Sequence, residues 1–168
     1  TGTGLIALML AQKTEARITG IDIDENACMQ ARENVNESPW SERIKIEHCA
    51  LQEFIRETDQ TFDLIVRNPP YFVDAYQAND SARNLARQAD ASLSFDELIF
   101  GVKKLLSKEG NFCVILPFKE GMLFRDKAMG AGLFYHRLVK VKTKMEKCEK
   151  RVIICFGFDK IKMTEEEI

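Results

Sequence analysis

The chain has 168 residues, 45% of them hydrophobic, which is enough for one sizeable core and fits a single domain. Lys and Arg total 24 against 26 Asp and Glu, a formal charge of −2, so the chain is no polycation and nucleic-acid contact needs a local basic face. The five cysteines are odd in number and never spaced as CxxC, which speaks against a zinc site or a disulfide framework and for a reducing cytosol; no apolar run of 18 residues and no charged leader points to a membrane or to secretion.

The opening TGTG precedes a helix-like apolar stretch, LIALMLAQ. Small residues there let backbone N–H groups and a helix N-terminus approach a ligand, although the same four residues also suit a plain strand-to-helix turn. ARITGIDID then forms a short strand ending in acids. About 20 residues separate the glycines from Asp22, the spacing at which an acid accepts hydrogen bonds from ribose hydroxyls. Asp24, followed by Glu25 and Asn26, is expected to cap the next helix. That helix, ENACMQARENVNES, places Cys28, Ala31 and Val35 on one inward face.

IKIEHCAL and FDLIVRN are strand-like, and a long polar loop follows. LSFDELIFGVKKLLSKEG has helical spacing with Gly110 as its C-terminal stop. NFCVILP is a strand and KEGMLFRDKAMGAG a helix. Strands alternating with helices predict a Rossmann-like α/β fold, a mostly parallel sheet with helices on both faces. FYHRLVKVKTK and RVIICFGF are joined by a link too short for a crossover helix, so they are expected to pair as an antiparallel edge hairpin. The acidic residues 165–167 read as a solvated end.

The stretch RNPPYF at 67–72 leaves a strand and at once presents Asn68, two prolines and two aromatics. Prolines fix φ and remove donors, so this turn offers acceptors: the Asn68 side-chain oxygen and the carbonyl of Pro69 or a neighbour. Two rigid acceptors suit a planar amino group, and Tyr71 or Phe72 can stack on the ring that carries it. Held this way, the nitrogen lone pair points at an electrophile, and its proton can leave after attack.

These residues resemble the class I S-adenosylmethionine-dependent methyltransferases that modify amino nitrogens through an (N/D)PP(Y/F) motif. TGTGLIALMLAQ, IDIDENACMQARENVNESPW, NPPYF, GNFCVILP and RVIICFGF are more similar still to the bacterial tRNA(Val) adenine-N6 methyltransferases. The resemblance implies S-adenosylmethionine as cofactor and the anticodon-loop adenosine of a tRNA as substrate, in the cytoplasm, with neither metal nor membrane involved. It implies a cofactor site of Thr1, Gly2, Gly4, Asp22, Ile23 and Asn68, and a catalytic turn of Asn68, Pro69, Pro70 and Tyr71. Members of this family carry a strand ending Asp-x-Gly before TGTG, so the chain is expected to begin inside the cofactor motif, without that strand. Members often also have an acid after the third strand for the adenine amino group, where this sequence has HCALQEF. His48 and Cys49 are expected there as a packed or exposed pair rather than as ligands.

From Arg137 to Arg151, seven Lys or Arg stand against two Glu, a stripe suited to phosphate contacts. The loop after NPPYF adds Arg83 and Arg87 near the target, and with Phe72 these are the expected substrate-binding residues. A protein-glutamine methyltransferase presenting an amide to the same turn is the rival reading, and an RNA-binding module without methyl transfer is the non-enzymatic one.

Overall fold

The computed structural model describes residues 1–69, 93–142 and 148–168, which fall into two units, Thr1–Asp59 and Gln60–Ile168. In the first, α1 (Leu5–Lys13), β1 (Ile18–Asp22), α2 (Glu25–Asn36), a 3₁₀ turn (Ser41–Arg43), β2 (Ile44–His48) and α3 (Leu51–Glu57) follow one another. β1 and β2 pair in parallel, from Ile18 opposite Ile44 to Asp22 opposite His48. Ala7 and Ala11 of α1, Cys28, Ala31 and Val35 of α2, and Ile44 and Ile46 of β2 form the core. The inward face expected of α2 is therefore the observed one.

Asp24 caps α2 as its sequence context predicts, its Oδ1 accepting from the backbone N–H groups of Asn26 at 2.8 Å and Ala27 at 3.2 Å. Arg43 closes the far end of α1 by donating to the carbonyls of Ala11, Thr14 and Ala16. The short α3 has no side-chain cap and no place in the sequence reading. Its seven residues are too few to show a clear apolar period.

The second unit contains β3 (Phe62–Arg67), α4 (Phe95–Leu105), β4 (Leu106–Pro117), α5 (Phe118–Gly130), β5 (Phe134–Val141), β6 (Arg151–Gly157) and β7 (Thr164–Glu167). Their sheet runs β3-β4-β6-β5-β7. β3 pairs with β4, and β5 with β7, in parallel; β6 is antiparallel to both β4 and β5. This mixed sheet, with helices linking its strands, is the Rossmann-like architecture expected, including the β5–β6 antiparallel hairpin. Ser94 and Glu97 start α4 with a reciprocal capping box. Phe112, Phe124 and Phe156 are fully buried and packed ring against ring, with centroids 5.7 to 6.0 Å apart. Each contributes about 1.5–3 kcal/mol relative to an exposed ring.

Two expectations are corrected. Gly110 does not stop a helix: α4 ends at Leu105 and Gly110 lies within β4. Opposite β3 the register jumps from Phe62↔Leu106 to Leu64↔Asn111, and a Cβ on Gly110 would stand 2.9 Å from the Phe62 carbonyl. The glycine thus serves a bulge where two backbones approach closely. The acidic residues 165–167 are not a free end either. They form β7, which pairs along the outer side of β5 while its side chains stay exposed.

Candidate cofactor site and target turn

The opening glycines are where the sequence needs them for geometric reasons. Gly2 has φ 58 and Gly4 φ 80, both in the left-handed region that side chains disfavour. Gly4 caps α1, and a Cβ there would stand 3.3 Å from that of Ala31. A Cβ on Gly2 would meet nothing within 4 Å, so space is open beside that turn. The first turn of α1 carries no acid that would oppose an incoming anionic group. Thr1 lies over Gly20 of β1: a Cβ on that glycine would come within 2.6 Å of the Thr1 hydroxyl.

Asp22 ends β1 next to this turn. Its Oδ2 accepts from the Gly2 N–H at 2.7 Å and the Thr1 backbone nitrogen at 2.6 Å, and its Oδ1 from the Asp24 N–H at 3.1 Å. Burial raises its pKa, while the hydrogen bonds from the Gly2 and Asp24 N–H groups act against burial and lower it. A carboxylate has about four acceptor sites, so with three engaged one remains for a hydroxyl.

Ile23 follows with its side chain 44% exposed beside the carboxylate. His48 Nε2 lies 3.0 Å from the Ile23 carbonyl, a bond that only a ring N–H can donate. Cys49 N–H donates to the Asp22 carbonyl at 3.0 Å. The parallel register that sets His48 opposite Asp22 brings the ends of β1 and β2 to the same side, so both follow-on residues brace the Asp22–Ile23 corner. The sequence reading left His48 and Cys49 without this role, because nothing local shows which strand end they meet. Burial, followed by the charges of Glu47, Glu53 and Glu57, raises the Cys49 thiol, which argues against its acting as a nucleophile.

The first unit thus brings Thr1, Gly2, Asp22 and Ile23 together, with Gly4 at the helix start. An acceptor site on a braced carboxylate, an exposed aliphatic face and room beside a glycine turn fit a nucleoside: hydroxyls on Asp22 and a ring against Ile23. In the second unit, Asn68 follows β3 as an exposed residue and Pro69 is buried. Pro70, Tyr71, Phe72, Arg83 and Arg87 lie outside the described residues. Among the described residues, no group of three His, Cys, Asp or Glu is arranged to hold a metal, and no helix is long and apolar enough to cross a membrane.

A family model, the methyltransferase small domain, matches residues 1–109. The tRNA1(Val) (adenine(37)-N6)-methyltransferase of Parabacteroides distasonis is 43% identical over 154 residues, 92% of this chain and 65% of its own length. Its namesake in Bacteroides fragilis is 42% identical over 172 residues, 100% of this chain and 71% of its own. The chain therefore spans about two thirds of the length of these relatives. Among solved structures, a predicted O-methyltransferase from Agrobacterium tumefaciens matches with a TM-score of 0.72 at 16% identity, covering 99% of this chain and 75% of that one, a likeness of fold. A second, a methyltransferase from Pyrococcus furiosus, matches with a TM-score of 0.65 at 20% identity, covering 94% and 71%. A family model over residues 1–109 and identities of 43% and 42% over most of the chain agree: the chain belongs to the methyltransferase small domain family, in the branch of the tRNA1(Val) (adenine(37)-N6)-methyltransferases.

Proposed function

We propose that this chain, within its full-length protein, transfers a methyl group from S-adenosylmethionine to the N6 amino group of an adenosine in a tRNA anticodon loop, adenosine 37 of tRNA(Val). The observation that carries the reading is Asn68, exposed at the carboxyl end of β3 and followed by a buried proline. When bound, S-adenosylmethionine supplies an electrophilic methyl group on a sulfonium. Thr1, Gly2 and Gly4 form the turn against which it lies; Asp22 accepts from a ribose hydroxyl, and Ile23 covers one face of its adenine.

At the target, the Asn68 side-chain oxygen accepts one hydrogen of the amino group and the Pro69 carbonyl the other. Those two bonds orient the nitrogen lone pair, and Pro70 holds the turn while Tyr71 and Phe72 stack on the base. Arg83, Arg87 and the 137–151 segment would supply phosphate contacts that position the tRNA without reading its sequence. A single methyltransferase domain over residues 1–168 is the organisation this reading requires, and a cytoplasmic location follows from the tRNA substrate.

The test is incubation of the full-length protein with labelled S-adenosylmethionine and unmodified total tRNA, followed by nucleoside mass spectrometry. N6-methyladenosine is the expected product. Label on a protein glutamine and none in RNA would leave the turn correctly assigned and replace the substrate.

A further inference from the structure

Cys113 on β4 and Cys155 on β6 are direct partners across an antiparallel ladder. Residues so opposed project to the same face of the sheet, with Cα atoms about 4.5 or 5.5 Å apart. Both spacings lie inside the range of about 4.4–6.8 Å that a disulfide spans without backbone movement. Phe112, Val114, Ile154 and Phe156, their neighbours along the strands, are at most 1% exposed on the opposite face. The two cysteines are only half-buried. On the other side of Cys155, the register shift in β5 sets Arg137 directly opposite it.

We propose that Cys113 and Cys155 are a redox-sensing dithiol, converted reversibly to a cross-strand disulfide by a hydroperoxide. Cys155 attacks first. Its thiolate sulfur takes the distal peroxide oxygen, the O–O bond breaks, and the departing oxygen leaves as water or alcohol after protonation, giving a sulfenic acid. The Cys113 sulfur then attacks the Cys155 sulfur. The S–S bond forms, the S–O bond breaks, and hydroxide leaves with the Cys113 proton as water. Two thiols have lost two electrons and the peroxide has gained them. A dithiol reductant restores the starting state.

The order of attack follows from what surrounds each sulfur. Cys113 directly across the ladder and Arg137 opposite it on β5 both favour the Cys155 thiolate and lower that thiol against the effect of burial. The facing Cys155 sulfur, with burial, pushes Cys113 well above the ordinary thiol range. A thiolate near neutral pH beside a protonated resolving thiol is the arrangement that peroxide-sensing cysteines use. Disulfides in reducing compartments are typically transient and redox-sensing, in keeping with such a role. Cys148 is the most exposed of the five thiols and has no opposed partner in the ladder, which makes it an internal control.

The experiment treats reduced full-length protein with hydrogen peroxide, unfolds it in denaturant, alkylates the free thiols and maps peptides without reduction. The expected result is a linked peptide pair containing Cys113 and Cys155, two hydrogens lighter than the sum of its parts and separated by dithiothreitol, while Cys28 and Cys49 are alkylated. In Cys113→Ser, dimedone should label Cys155 as sulfenic acid; in Cys155→Ser, Cys113 should stay unlabelled under the same exposure. Alkylation of both cysteines in the treated wild type, or oxidation confined to Cys148, would overturn the proposal. None of these readouts depends on methyl transfer.

Discussion

Arg137 of β5 holds Glu166 of β7 at two points, Nε to Oε1 at 3.1 Å and Nη2 to Oε2 at 2.8 Å. Lys140 pairs with Glu165 at 3.3 Å and Lys142 with Glu167. Three cations of the basic stripe are thus already held by carboxylates of the adjoining strand. The stripe's excess of 7 − 2 = 5 positive charges falls to 5 − 3 = 2 once β7 is included. Exposed pairs of this kind are weak and screened by salt, so a polyphosphate can displace them, but only in competition with β7.

The triple substitution Glu165→Gln, Glu166→Gln, Glu167→Gln should therefore tighten tRNA binding at low salt. The slope of log affinity against log salt should become steeper by about 0.7–0.9 for every freed cation that gains a phosphate. Fluorescence anisotropy over a potassium chloride series measures this. An unchanged slope would assign the phosphate contacts to another surface.

Asn68→Ala removes one of the two acceptors proposed for the amino group and no part of the Asp22 corner. Turnover should drop by about 10²-fold or more, the usual cost of losing a preorganised polar contact to the reacting group. S-adenosylmethionine affinity by calorimetry should stay near wild type. Parallel loss of both would move Asn68 from the target to the cofactor.

The two opening glycines separate strain from crowding. Gly2→Ala meets only the left-handed penalty, about 1–2 kcal/mol, since its surroundings are open. Gly4→Ala meets that penalty and a Cβ on the fully buried Ala31 as well, so it should be the more destabilising. Urea midpoints at unchanged m-value rank them. Equal costs would mean that α2 yields at Ala31.

Asp22→Asn removes the carboxylate proposed to accept from a ribose hydroxyl while keeping the side chain's size. It should weaken S-adenosylmethionine binding to the full-length protein at pH 7, read by calorimetry. An unchanged affinity would place the ribose contact elsewhere.

Some of this was legible residue by residue. The turn at Gly2 and Gly4, the Asp24 cap and the inward face of Cys28, Ala31 and Val35 rest on interactions within a few positions, where φ limits, capping and helical period act directly. The boundary between α4 and β4 was not legible. Leu106 to Gly110 has polar helical spacing, yet it opens β4, whose pairing with β3 starts at Leu106 and resumes at Asn111.

The chain by itself determined its α/β alternation, its glycine turn with an acid on the following strand, and its Asn-Pro-Pro-Tyr motif, because each is set by local backbone preference and side-chain period. Only the tertiary structure decided that His48 braces Ile23, that β7 neutralises β5 and that Cys113 meets Cys155. Those meetings depend on strand order and register, which are fixed by hydrogen bonds between segments far apart in the chain and by which faces can be buried together.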